Sequence, residues 1–290
     1  MNAKGTTDAA TEKRLRESYI KHATLAQLYR WFQYFENAEC GLANHVDTLD
    51  DDVAVRAIDT NTNGLKAYLE AITPPVARRR KAHVLKNQSI DISANGSIHV
   101  KAEVDILVPD QLPKGNALLL PAEFKAILAP TDTVLPKFTE IRITQSGPEQ
   151  TPEYRDTFLD HRVRSLVHHF TAIVEDPSRN PEPFREVLPD EFSINYTETP
   201  MTDFESVKAW VAGALSSVVA SNHQIHDVSF DMTAHGDYLV TIRMESKALF
   251  PDGSGITSKN TQTWTLTDNP ADRFPKIRRI TIDRDEVRRI

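Results

Sequence analysis

The stretch His83–Gly96, HVLKNQSIDISANG, has a counterpart at His223–Gly236, HQIHDVSFDMTAHG. Both place a histidine four residues before an Asn or Asp and thirteen before a glycine. A shift of 140 lays His83 on His223, Asn87 on Asp227, Ser89 on Ser229, Asp91 on Asp231, Gly96 on Gly236 and Val100 on Val240. Further along, a shift of 139 lays Pro136-Lys137-Phe138 on Pro275-Lys276-Ile277 and Ile141 on Ile280. Identity is sparse, but order and spacing persist, which is the signature of an internal repeat.

Working outward, each half reads alike. Apolar residues recur at helical spacing in Leu15, Tyr19, Ala26, Tyr29 and Phe32, and again in Leu159, Val163, Leu166, Val167, Phe170 and Val174. An acid-rich connection follows (DTLDDD; EDPSRNPEPFREVLPDE), then a short strand (VAVRAI; FSINYT). A second helix is expected around Leu65 to Ile72, stopped by Pro74-Pro75, and around Phe204 to Val219. Alternating runs on either side of Asn-Gly and His-Gly-Asp read as hairpins. AEFKAIL with FTEIRIT, and TQTWTLT with KIRRITID, close the halves. Helices early and antiparallel strands late predict the α+β class. Ser146–Pro152 reads as the linker, so two domains are expected, at 12–145 and 153–290, in keeping with a chain of 290 residues.

A formal net charge of -7 argues against a nucleic-acid or anionic-membrane binder, since such surfaces collect cations. The basic runs Arg78-Arg79-Arg80-Lys81 and Arg278-Arg279 read as solvated faces. Cys40 is the single cysteine, which leaves no intrachain disulfide and no thiolate cluster for zinc. The polar start lacks an apolar signal core, and no run has the length of a membrane span. A cytoplasmic protein with no membrane partner and a mobile N-terminal tail is expected.

The order helix, FSINYTE, ESVKAWVAG, SNHQIHDVSFDMTAHGDYLV resembles the SnoaL-like branch of the nuclear transport factor 2-like superfamily. The second half, from about Asp156 to Asp283, carries it more strongly. The first half carries it through GLKAYLEAI, HVLKNQSIDISANG and the closing strands. The resemblance implies two tandem cone-shaped, cystatin-like rolls, each a curved antiparallel sheet wrapped over helices around an apolar pocket. Similar proteins include ketosteroid isomerase, scytalone dehydratase, limonene epoxide hydrolase and polyketide cyclases, alongside non-catalytic members. Many members pair through their sheets, which implies an intrachain pseudo-dimer here and leaves further self-association open.

His223 is the leading candidate for chemistry, because an imidazole takes and returns protons near neutral pH. The apolar parity Val228, Phe230, Met232 includes His226 and omits His223, so a bulge would have to switch the parity. A structural histidine paired with Asp227 or a carbonyl is the competing reading. Tyr196 could polarise a carbonyl oxygen; its counterpart is Ala57, so a tyrosine–histidine pair exists only in the second half. Glu198, matched by Asp59, is the candidate acid. Arg243 and Glu245 resemble the Arg-x-Asp pair of limonene epoxide hydrolase, with Glu in place of Asp. Trp210, Phe170, Trp264, His226 and His83 are expected to contact a ligand. Positions three apart on a strand face opposite ways, so His223 and His226 suggest no shared metal. No Gly-rich phosphate loop or nucleophile elbow appears. The expected function is binding of a small apolar molecule without cofactor or metal. It is extended to His-assisted isomerisation, dehydration or cyclisation of a cyclic or polyketide-like substrate; the alternative is a non-catalytic binding or scaffold module.

Overall fold

The computed structural model describes residues 13, 15, 17–57, 59–72, 81–109, 117–151, 153–196, 199–233 and 236–289. Glu198, the Pro74-Pro75 stop and the arginines of the run at 78–80 lie outside the described residues. No described helix is long and apolar enough to cross a membrane.

The first repeat contains α1 (Ser18–Glu36), α2 (Leu42–Val46), β1 (Leu49–Ala57), β2 (Thr60–Asn63), α3 (Leu65–Ile72), β3 (Ala82–Ile92), β4 (Ile98–Pro109), β5 (Ala117–Ala129) and β6 (Lys137–Gln145). A short β7 (Glu149–Thr151) follows in the expected linker. The second contains α4 (Phe158–Glu175), α5 (Phe184–Val187), β8 (Ser193–Ile194), α6 (Phe204–Trp210), β9 (Ala220–Met232), β10 (Tyr238–Leu249), β11 (Gly255–Thr267) and β12 (Lys276–Arg289).

Two sheets form, in the order β2-β1-β6-β5-β4-β3 with β7 on β5, and β8-β12-β11-β10-β9. Pairing is antiparallel except where β1 meets β6 and β8 meets β12, which run parallel. The short strand after each first helix therefore docks against the last strand of its own repeat. The acidic connection DTLDDD is partly strand: β1 starts at Leu49 and includes Asp50–Asp52. Gly96 and Gly236 turn the matching hairpins at φ +85°, a left-handed conformation that favours glycine.

Strand alternation decides which face is covered. On β4, Val100, Ala102 and Val104 are buried while His99, Lys101 and Glu103 are exposed. The buried face meets α1, where Trp31 lies 5.9 Å from Phe138 and Phe32 lies 5.5 Å from Phe124. In the second sheet Val240, Ile242, Trp264, Leu266 and Ile280 are buried, and Phe170 of α4 meets Trp264 edge-on at 5.0 Å. Edge-to-face contacts of this kind add to area burial in holding helix to sheet.

The compact units exchange helix segments. One unit is Thr24–Ser165 with Pro270–Asp272, and holds the first sheet. The other holds the second sheet, with Leu166–Asn269, the described residues up to Ala23 and those from Arg273 onward. Ser18–Ala23 of α1 thus belongs with the second sheet, and Phe158–Ser165 of α4 with the first.

Candidate functional site

The site in the second unit begins with a bulge. On β9, Ile225 pairs with Met244 and Asp227 with Arg243, so His226 is the extra residue with no partner on β10. One inserted residue reverses the alternation of the strand. Val228 is buried on one side of the bulge, and Ser221 and His223 line the cavity on the other. The parity of His223 is thereby corrected to the inner face. The same correction removes His226, which was expected to touch a ligand: it is exposed and does not line the cavity. β3 has the matching bulge between Lys86 and Ser89, where Asn87 takes φ 43°.

His223 does not pair with Asp227, which instead binds the exposed Arg243 at 2.8 Å. Its partner is Glu175, the last residue of α4. The Nδ1 atom of His223 lies 2.8 Å from Glu175 Oε1, and the His223 backbone N–H donates to the same oxygen. The Glu175 side chain is 0% exposed and that of His223 is 20% exposed. Glu175 Oε2 is buried and has no hydrogen-bond partner among the described residues. A carboxylate facing Nδ1 holds the proton there and presents Nε2 as the basic nitrogen.

The cavity beside His223 has a volume of about 260 Å³. Phe170, Tyr196, Trp210 and Trp264 are among its walls. Tyr196 stacks on Trp210 at 5.3 Å and 10°, and on Phe170 at 6.2 Å. Trp210 is delivered by α6, whose start is fixed by a capping box between Asp203 and Ser206. The helix then widens into a π turn, Val211–Leu215, which brings Leu215 to the wall.

A buried polar ladder runs under the aromatic wall. Gln262 Oε1 accepts from Trp264 Nε1 at 2.9 Å and from the Tyr196 hydroxyl at 3.3 Å. Its amide nitrogen donates to Asn260 Oδ1 at 3.2 Å. Burial pushes the Tyr196 phenol above its ordinary range, against the opposing pull of Gln262 and Arg284, so it is a neutral donor. Gln262 and Asn260 were readable from parity, since both share the face of Trp264 and Leu266 in NTQTWTL. Arg243 and Glu245 occupy the opposite face, and Glu245 pairs with Lys247 at 3.3 Å. The epoxide-hydrolase-like pair therefore has no place in this cavity.

The first unit repeats the dyad in altered form. His83 Nδ1 lies 3.0 Å from Glu36 Oε1, which also accepts from the Thr157 hydroxyl at 2.8 Å. His161 Nδ1 occupies the second oxygen at 2.9 Å. Burial pushes the Glu36 carboxyl up, but the charge and hydrogen bonds of His161 and His83 outweigh it and hold the group at about 2. Burial pushes the His83 imidazole down. His83 lines a smaller cavity of about 150 Å³, together with Trp31, Phe124 and Tyr68. The position that holds Tyr196 in the second unit is here Ala57, and it too lines the cavity.

No protein-family model matches the chain. A search of curated proteins also returns no match. Among solved structures, a hexachlorocyclohexane dehydrochlorinase from Novosphingobium barchaimii is 8% identical, covering 46% of this chain and 90% of its own, with a TM-score of 0.40. A Caulobacter vibrioides protein with a cystatin-like fold is 11% identical over 44% of this chain and 89% of its own, with a TM-score of 0.37. The ActVI-ORFA protein of Streptomyces coelicolor is 10% identical over 44% of this chain and 97% of its own, with a TM-score of 0.38. Each unit is a cystatin-like α+β roll. The strand order, the parallel docking of the early strand and the matching bulges carry that assignment. Fold alone leaves activity open.

Proposed function

We propose that the second unit binds a small cyclic, largely apolar molecule and that His223 transfers a proton within it. One observation carries the reading: His223 is bonded through Nδ1 to a fully buried carboxylate while its ring lines an aromatic cavity. A base so oriented takes a proton from carbon at Nε2. Glu175 stabilises the imidazolium that results, and Tyr196, on turning its one hydroxyl hydrogen from Gln262 to the ligand, donates to an oxygen that gains charge. Returning the proton elsewhere on the same molecule gives an isomer; loss of a neighbouring leaving group gives an eliminated product. A cavity of about 260 Å³ suits one or two fused rings better than an extended chain.

A thermal-shift screen against steroids, terpenoids and aromatic acids tests the binding step, because a ligand of the folded state raises the melting temperature. Turnover of any hit is then compared with that of His223→Ala, which is expected to lose 10²–10⁴-fold, roughly the worth of general acid–base catalysis. Binding with no turnover in either protein would leave the alternative, a ligand-binding module. Unchanged turnover in the variant would remove His223 as the proton carrier. The saturated Glu36 carboxylate and the Ala57 wall favour the second unit over the first as the reactive one.

A further inference from the structure

The groups around Glu175 and His223 are not all supplied by the second repeat. Ser18 and His22, at the start of α1, belong to the same compact unit as β9. The Ser18 hydroxyl accepts from Asn222 Nδ2 at 2.8 Å. His22 is 7% exposed. Its Nε2 lies 2.9 Å from the carbonyl oxygen of His223, and its Nδ1 lies 2.8 Å from Nδ1 of His168. The two rings stack at 5.1 Å, and His22 Nε2 stands 4.0 Å from Glu175 Oε1.

Counting hydrogens assigns the tautomers. A carbonyl only accepts, so His22 Nε2 carries a hydrogen. Burial pushes the His22 imidazole below its ordinary range; Glu175 opposes this and His223 adds to it. The ring is then neutral, its Nδ1 is bare, and His168 Nδ1 is the donor. His223 Nδ1 donates to Glu175. Three directed hydrogen bonds thus run from His168 through His22 to the backbone of His223, and from its ring to the carboxylate. The charged and titratable groups facing His22 are Glu175 and His168 on α4 and His223 on β9, with Arg179 acting on Glu175 from the following turn.

The first unit shows the alternative. His161, 139 residues after His22, binds the second oxygen of Glu36 directly. His22 turns instead to the strand carbonyl, and the second oxygen of Glu175 has no hydrogen-bond partner among the described residues. The same residue type at the same repeat position saturates one carboxylate and spares the other.

We propose that His22 is a positioning residue of the second-unit site. It donates its Nε2–H to the His223 carbonyl and stays 4.0 Å from Glu175 Oε1, so that this oxygen keeps its hydrogen bonds to His223 and the bare Nε2 of His223 is left for the cavity. Its functional consequence rests on the reading of His223 as proton carrier; the positioning itself does not. The site of one repeat is therefore completed by the helix of the other.

The test uses the full-length protein with ¹⁵N-labelled histidine. Long-range proton–nitrogen correlations report the tautomer and titration of each ring. Wild type is expected to show His223 with its proton on Nδ1. His22→Phe keeps a ring and removes the donor; it should give His223 mixed tautomers and a displaced titration midpoint. His22→Gln places an amide N–H where Nε2 was and should restore the wild-type signature. Identical His223 tautomer and titration in wild type and H22F would overturn the proposal. Should H22F fail to fold, His22→Leu removes the same donor with a smaller side chain, and an unmoved His223 signature there overturns it equally. A displaced His223 in a protein that turns over nothing would sink the proton-transfer reading and leave the positioning role in place.

Discussion

Replacing Glu36 by Gln probes the buried carboxylate whose interactions the structure defines most fully. Glu36 Oε1 accepts from the His83 backbone at 3.2 Å, from His83 Nδ1 at 3.0 Å and from Thr157 at 2.8 Å. Oε2 accepts from His161 at 2.9 Å, and the side chain is 0% exposed. Gln keeps the size but turns an NH₂ toward one of these donors and removes the charge. The carboxyl sits at about 2, against an ordinary value of 4.5. By linkage that difference is worth about 3 kcal/mol at neutral pH, at the lower edge of the roughly 3–5 kcal/mol lost when one member of a buried pair is removed. The folded value is the lower one, so the contribution is complete above the unfolded value of 4.5 and is lost as pH falls toward about 2. More than half should be gone at pH 3. Urea unfolding followed by circular dichroism, at several pH values from 7 to 3, measures wild type against variant. A loss of about 3 kcal/mol at pH 7, or roughly 6–12 °C in melting temperature, is expected to shrink as the solution is acidified. A loss below about 1 kcal/mol at pH 7, or one equal at pH 7 and pH 3, would refute the account.

The same sign of pH dependence is expected from Glu186, held at about 2 because His169 and Arg273 outweigh its burial; Glu186→Gln should cost less than E36Q in the same titration, since its side chain is 25% exposed. Gly236→Ala meets no atom within 4 Å, so its cost is the left-handed backbone alone, about 1–2 kcal/mol by denaturation. Tyr196→Phe gives up one long bond to Gln262, which keeps its bond to Trp264; stability should move by less than about 1.5 kcal/mol, while calorimetry should show weaker binding of oxygen-bearing ligands from the screen. Arg243→Ala breaks an outer-face pair between side chains 66% and 44% exposed, and should leave both ligand binding and melting temperature nearly unchanged.

Much of the fold was legible in one dimension. The recurrence of HVLKN as HQIHD, with a glycine at the same distance, marks two copies of one unit. Period-2 alternation marks the hairpins, and it also places Gln262 and Asn260 beside Trp264 on the inner face. These are local properties: a strand alternates because successive side chains point to opposite faces, and a turn needs glycine because other residues resist positive φ. Even the buried acids left a trace, since a shift of 139 lays Glu36 on Glu175 and His22 on His161.

What each residue does was decided by contacts across long stretches of chain. The orientation of His223 depends on a bulge, which exists only because β10 has one residue fewer than β9 over the same span. Its partner Glu175 is 48 residues away at the end of a helix, and His22 is 201 residues away. Two equivalent histidines, His22 and His161, take different partners, a carbonyl in one unit and a carboxylate in the other. Residue type and spacing prescribe periodicity and turns. Which donor meets which acceptor depends on how helices lie against sheets, and burial then makes that choice count, because a polar group withdrawn from water must find its partner within the protein.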